Sequence, residues 1–384
     1  MYTTHIGLLD QDPVRLITPL LDESIPSDRM IFIGVDNDTE QYQRLATILN
    51  ERNITTEFFT IPDVVSTRQI RNRVFELATR LSKEKGTILY NASCGLKHRL
   101  LSIYEVFRSF NWPIYVIEPF SDRLCWLYPE KEEHQVHDKI KLADYLAIFG
   151  ARSEFTDLTI TRALDDKLSN LGHKWAQSAL ELGPGLATLN YLATTCRKEQ
   201  RLDVALSEKQ QSYRELGILL DDLQSVDLAK YENGVLTFAH EQARRFSNGE
   251  WLEVLVNNTV RKIKANMPTI QDYSQGIQVH RKIADQEVKN ELDVTCIVNN
   301  KLHIIECKTK GMSQDGDDTL YKLDTLRDLL GGLQARAMLV SFRPLKYYDL
   351  NRANDLGLAI IGPDELGNLY QHLYDWFHEA GGEK

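Results

Sequence analysis

Asp293, Glu306 and Lys308, in the run ELDVTCIVNNKLHIIECKTK, are the residues whose types and spacing point most directly to chemistry. The run reads as two strands joined at Asn299-Asn300, a pair suited to a two-residue hairpin turn. Strand alternation sends Glu306 and Lys308 to one face and Cys307 to the other, and Asp293 can face them across the hairpin. Neighbouring carboxylates repel, and a hard divalent cation such as Mg²⁺ or Mn²⁺ relieves the repulsion by taking oxygens from both. Such a cation polarises a phosphodiester and lowers the pKa of bound water, while a lysine beside it can orient or deprotonate that nucleophile. Glu253, upstream in GEWLEVL, can add a carboxylate. The candidate metal set is therefore Asp293, Glu306, Glu253 and position 307, although alternation assigns the Cys307 thiol to packing. Charged residues on a half-exposed strand reproduce this spacing too. The apolar run His303-Ile304-Ile305 before Glu306 adds weight, because unpaired charge on a buried strand is costly. Glu291 is a rival carboxylate, better read as hydrated or ion-paired. Asp317-Asp318, in GMSQDGDD, reads as a solvated loop.

The elements that must position these residues are a helix over EQARRFSNGEWLEVLVNNTVRKIKANM, strands IQVHRKI, ELDVTCIV and KLHIIECKT, helix YKLDTLRDLLGGL, and strands AMLVSF and LAIIGP. This places an α/β domain at 241–384. Residues 1–147 alternate short apolar runs with helical patterns, which predicts βαβ units and a doubly wound, mostly parallel Rossmann-like sheet. Asp12 followed by Pro13 has the form of a helix start. From 148 to 240 strand patterns stop and helices take over. Within that linker, YRELGILLDDLQSVDLAKYENGVLTF leads into a hairpin at Asn233-Gly234, the order of a winged helix. Its candidate recognition helix is acidic and repels phosphates, so it reads as scaffold.

A second constellation lies at strand ends in the N-terminal domain. In doubly wound sheets, ligands bind outside the carboxyl ends of the strands. LLDQDPVR and LYNASCGLKHR both fall there, and the second offers Asn91, Ser93 and Gly95 at a helix N-terminus, followed by Lys97, His98 and Arg99. Backbone amides and cations so arranged suit a phosphate-linked nucleotide. The same turn is also what an ordinary capped helix start looks like. No GxGxxG is present, which disfavours NAD, and HExxH, GxSxG and GxxxxGK[ST] are equally absent.

Composition bounds the rest. At 384 residues and 42% hydrophobic, the chain can bury two or three cores. Its five cysteines are scattered without CxxC or zinc spacing, which implies a reducing, cytoplasmic setting. No signal sequence or apolar stretch of membrane-spanning length is evident, so neither export nor a membrane partner is expected. A net charge of −10 argues against coating nucleic acid along the whole surface, but a nuclease confines its basic residues to the substrate track.

ELDV followed by HIIECKTK, with a glutamate on an upstream helix, resembles the PD-(D/E)XK nuclease superfamily, departing in Glu-Leu where the nominal motif has proline. The full domain order, with NASCGLKHR closing the fourth strand, resembles the CARF-domain nucleases that accompany type III CRISPR systems. That resemblance implies a homodimer binding a cyclic oligoadenylate, usually cyclic tetra-adenylate, across its two-fold axis. It also implies cleavage of single-stranded DNA or RNA with Mn²⁺ or Mg²⁺. Carried onto this chain, Gln11, Asp12, Asn91, Ser93, Cys94, Gly95, Lys97 and His98 contact the activator, and Asp293, Glu306 and Lys308 with Glu253 cut. Two alternatives stay open from sequence: a nucleotide-sensing winged-helix transcription regulator, and a constitutive restriction- or repair-type DNA nuclease.

Overall fold

The computed structural model describes residues 2–137, 139–155, 162–283, 286–310 and 316–379. The N-terminal third runs β1 (Thr3–Leu8), α1 (Val14–Leu21), β2 (Arg29–Gly34), α2 (Thr39–Asn50), β3 (Thr55–Thr60), α3 (Thr67–Leu81), β4 (Thr87–Asn91), α4 (Lys97–Ser109), β5 (Ile114–Ile117), β6 (Arg123–Tyr128) and β7 (His134–Gln135). Strand order is β3-β2-β1-β4-β5-β6-β7, parallel through β5 and antiparallel beyond it. Helices cover both faces, so strands such as Met30-Ile31-Phe32-Ile33 are continuously apolar and fully buried. Order reverses at β1 and β4, and the crevice expected of a doubly wound sheet opens between their carboxyl ends.

The middle of the chain holds α5 (Leu142–Ile148), β8 (Ala151–Glu154), α6 (Arg162–Gln177), α7 (Ala179–Lys198), β9 (Asp203–Ala205), α8 (Glu208–Gln211), α9 (Arg214–Ser225), β10 (Ala229–Glu232) and β11 (Val235–Phe238). Two strands here were not expected: β9 joins the hairpin β10–β11, and β8 adds to the edge of the C-terminal sheet by pairing with β12. The hairpin turns at Asn233 and Gly234 with φ of 51° and 76°, as a two-residue type I′ turn requires. Helix α9 buries Leu216, Leu219, Leu220 and Leu223, and its Asp222 accepts from the Trp175 indole at 3.0 Å. A helix packed in this way serves as scaffold.

The last third contains α10 (Glu241–Arg245), α11 (Trp251–Lys264), β12 (Ile270–Ile283), β13 (Gln286–Val298), β14 (Lys301–Lys308), α12 (Gly316–Gly331), β15 (Arg336–Ser341), α13 (Tyr347–Asp355), β16 (Ala359–Ile361) and α14 (Leu369–Glu379). The single helix expected over 241–267 is broken: a π-type turn over Phe246–Glu250 puts Gly249 at φ 121° between α10 and α11. Asp317 and Asp318 lie in the first turn of α12 rather than in a loop. The sheet order is β16-β15-β14-β13-β12-β8. One face packs beneath α11, α14 and the linker helices; the other shares a core with α12 and with α1, α2 and α5 of the N-terminal half. The two ends of the protein therefore meet across a continuous apolar layer.

Candidate active site

Strand pairing explains how the motif becomes a site. β13 and β14 pair from Val298–Lys301 up to Val294–Ile305 and then part, β13 continuing along β12 and β14 along β15. Asp293 and Glu306 are the next rung, where the two strands fork. Asp293 Oδ2 accepts the Cys307 N–H at 2.7 Å, so a side chain takes over where the ladder ends. Glu306 is buried, and its Oε1 lies 2.5 Å from Lys308 Nζ on the same strand face. Glu253 enters from the first turn of α11, which the break at Gly249 aims into the fork. A Cβ on Gly249 would stand 2.2 Å from Thr309 Oγ1, so only glycine fits there, by φ and by space.

The resulting cleft, about 430 Å³, mixes acids and bases: Glu250, Glu253, Glu291 and Asp293 line it together with Arg197, Arg244, Arg245, Lys308 and Lys310. Burial, then the Asp293 carboxylate, pushes Glu253 up to about 9, against the pull of a Gln275 hydrogen bond. Burial and the Glu306 charge push Asp293 up to about 7. Lys308 is raised: burial lowers it, but Glu306 more than offsets that. It is therefore a cation at neutral pH, which favours orienting over deprotonating. Lys310 is lowered by burial and by Arg197 and Lys308, the mark of crowded positive charge.

Carboxylates held against ionising by burial and then by neighbouring like charge are the groups a bound cation would stabilise. The all-oxygen donors suit Mg²⁺ or Mn²⁺. The ligand atoms of Glu253, Asp293 and Glu306 do not all lie within 4.8 Å of one another, and Glu306 is turned onto Lys308. Cys307 lines the cleft, but its thiol is buried in the apolar cluster that holds Ile305 and Val340, and burial pushes it well above its ordinary value. Glu291 is exposed and lines the same cleft.

The N-terminal crevice is built differently, and three of the residues expected to touch a ligand are spent on its walls. Asn91 is buried, donating to the Arg15 carbonyl at 2.9 Å and accepting from the Ser93 amide at 3.0 Å. Ser93 Oγ accepts the Ile117 N–H at 2.7 Å. The Cys94 thiol, pushed up to about 12 by burial, donates to the Asp12 carbonyl at 3.3 Å. Asp12, its carboxyl pKa pushed up by burial, lines a cavity of about 860 Å³ with Asp10 and Gln11 on one side of the domain boundary and Gly332 and Leu333 of the C-terminal domain on the other. Asp12 Oδ2 sits 3.0 Å from where a Cβ on Gly332 would be. Gln11 and Lys97 are exposed, and His98 and Gly95 are half-buried. The Gly95 amide donates to Asp10 Oδ2 at 3.0 Å, a carboxylate oxygen standing where an anionic ligand's oxygen would bind. Gly95 has φ 115°, and a Cβ there would collide with Leu8 at 2.1 Å.

Comparison with known proteins decides which family carries this pair of sites. Residues 240–380 match the Card1-like endonuclease domain and residues 13–145 the Card1 CARF domain. The crystal structure of protein VC1899 from Vibrio cholerae is 62% identical over 100% of both chains, with a TM-score of 0.96. The chain belongs to the Card1-like family. It is thus a CARF-domain endonuclease, and the transcription-regulator alternative falls. The fold is also shared with Can2 from Sulfobacillus thermosulfidooxidans, solved in complex with cyclic tetra-adenylate, at 23% identity, 98% and 99% coverage and TM-score 0.79. A type III CRISPR defence DNA nuclease activated by cyclic oligoadenylate matches at 13% identity and TM-score 0.55, covering 96% of this chain and 51% of its own. The curated proteins contain no match.

Several residues of this Card1-like cleft gave no sequence signal. Arg197 arrives from the end of α7, and Arg244 and Arg245 from α10, far from the motif in sequence. Asn190, buried on α7, reaches Thr309 at 3.4 Å, which places the linker against the active-site wall. No helix among the described residues is long and apolar enough to cross a membrane.

Proposed function

We propose that the protein is a divalent-metal-dependent nuclease of type III CRISPR defence, cutting single-stranded DNA or RNA and switched on by cyclic tetra-adenylate. The observation that carries this is the cleft at the strand fork, where Asp293 and Glu253, both raised in pKa, and Lys308 share one cavity with the cations Arg197 and Lys310. Asp293 and Glu306, with Glu253, would hold Mn²⁺ or Mg²⁺, which when bound polarises the phosphodiester and acidifies a water. Lys308, already cationic, would leave Glu306 to orient the nucleophile and offset charge on the phosphate oxygens. Arg197 and Lys310 would hold the strand's phosphates by charge alone, without base readout. Specificity for sequence is not expected from such contacts.

The N-terminal domain would act as the sensor. Gln11, Gly95, Lys97 and His98 form a half-site at the helix N-terminus, and a cyclic ligand of even symmetry needs two such halves, so a homodimer is the working unit. The activator's phosphate would take the Gly95 amide from Asp10, which frees the β1–α1 turn. That turn ends in Asp12, pressed against Gly332 and Leu333. Five free cysteines fit a reducing, cytoplasmic setting. The test is chelation: EDTA should abolish cleavage of labelled single strands, Mn²⁺ or Mg²⁺ should restore it in the wild type, and neither should restore it in Asp293→Ala. Cleavage persisting in EDTA would remove the metal from the account.

A further inference from the structure

Away from both sites, Asp22, His134 and His137 bring three ligand atoms within 4.8 Å of one another. Asp22 follows α1, while the histidines sit in and just after β7, more than a hundred residues later. His137 Nδ1 lies 2.9 Å and His134 Nε2 3.5 Å from Asp22 Oδ2. The other carboxylate oxygen, Oδ1, is engaged by the Ser24 amide at 2.8 Å and the Ser24 hydroxyl at 2.6 Å, which fixes the plane of the carboxylate with Oδ2 toward both rings. The remaining contacts are the His137 amide on Oδ2 at 2.8 Å and Ser24 Oγ 2.9 Å from His134 Nε2.

We propose that Asp22, His134 and His137 form a second metal site, of zinc type, distinct from the nuclease centre. Two imidazoles and one carboxylate are a zinc donor set, whereas the all-oxygen nuclease cleft suits harder cations. The separations of 2.9 and 3.5 Å between Asp22 Oδ2 and the two ring nitrogens are in the range of ligands each about 2.1 Å from a shared ion. Asp22 is 1% exposed but His134 is 39% and His137 60% exposed, so the ion enters from solvent and water completes its shell. The Ser24 bonds supply the outer support that orients a ligating carboxylate.

The location gives the site a role. Residues 140–142, close in sequence to His137, are bonded to the nuclease sheet: the Gln271 side chain donates to the Ile140 carbonyl at 3.4 Å, and the Leu142 amide donates to Asp272 at 3.0 Å. A metal here would pin His137, just ahead of them, to the end of α1, the helix that follows the sensor turn. It would stiffen the joint between sensor and nuclease.

The test uses the full-length protein carrying Asp293→Asn and Glu306→Gln, so that the nuclease centre does not compete. Equilibrium dialysis against micromolar Zn²⁺ should show one ion per chain, and Co²⁺ should give the visible absorption of a four- or five-coordinate nitrogen-containing site. His137→Gln and His134→Gln should each weaken Zn²⁺ binding at least ~10-fold. Each should also abolish the rise in melting temperature that Zn²⁺ gives, while melting in EDTA as the parent does. Ser24→Ala, which keeps all three donors, should weaken binding less than either. If no zinc is retained, or if both histidine variants retain it as well as the parent, the histidines are hydrogen-bonded tethers and the proposal is overturned.

Discussion

The nuclease cleft and the sensor crevice both open where strands part, yet they store their function in opposite ways. In the cleft, side chains are left in tension: Glu253 and Asp293 are held against ionisation, and Glu306 is paired with Lys308. In the crevice, three of the polar side chains are spent on the walls: Asn91, Ser93 and Cys94 bond inward, and the Gly95 amide is covered by Asp10. In the proposed function, a cation would complete the first by neutralising charge. A ligand would complete the second, beside Lys97 and His98, by exchanging one anion for another. Chemistry thus depends on particular carboxylates, while sensing depends on the fold of two turns and tolerates the loss of single side chains better.

The sharpest way to break this comparison is at the cleft. Asp293→Ala or Glu306→Ala should lower metal-dependent cleavage at least ~10²-fold, because water replaces a charged ligand poorly, and melting temperature should not fall. Single-turnover rates at saturating Mn²⁺ check it; near-normal rates would return the motif to an ordinary charged strand. Gly249→Ala comes next. It forces a strained φ and a clash with Thr309, and should lower the melting temperature by roughly 4–8 °C. Because α11 carries Glu253, cleavage should fall with it.

These two predictions also divide what the sequence showed from what it hid. Period-2 alternation and the Asn299-Asn300 turn, with φ of 48° and 54°, were legible because both are local. The βαβ alternation of the N-terminal domain was legible for the same reason. The break at Gly249 was not, because FSNGE continues a helical pattern and its left-handed glycine answers to Thr309, sixty residues on. β8 was hidden because Ala-Arg-Ser-Glu is a strand only by virtue of the β12 edge it joins. The placing of Asp12 beside Leu333, and the arrival of Arg197 in the cleft, are likewise products of tertiary contact between distant segments.

Smaller effects are expected at the sensor. Lys97→Ala removes an exposed charge beside intact amides, so half-maximal cleavage should need roughly 3–10-fold more cyclic tetra-adenylate while the maximal rate is nearly kept. A collapse of the maximal rate would place Lys97 in the transmission path. The smallest effect is a pH dependence of the metal-free protein. Asp293 and Glu253 have folded pKa values raised to about 7 and about 9, so the native state holds protons that the unfolded chain releases. The stability this lends is present in acid and is lost as pH climbs through that window. In EDTA the melting temperature should drop by roughly 2–4 °C between pH 6 and pH 9, and Glu253→Gln should flatten the upper part of the fall. Mn²⁺ at pH 8 should reverse it.

The account's central claim is that the crevice governs the cleft, and one titration tests it most directly. The rate of single-strand cleavage is measured in Mn²⁺ as cyclic tetra-adenylate is raised from zero, with linear tetra-adenylate as control. An activator shifts a two-state protein only by its differential affinity for the two states, so the account predicts a low basal rate that rises to saturation with the cyclic ligand alone. A wild-type rate that is high and indifferent to the ligand would contradict it, and would leave an endonuclease without a switch.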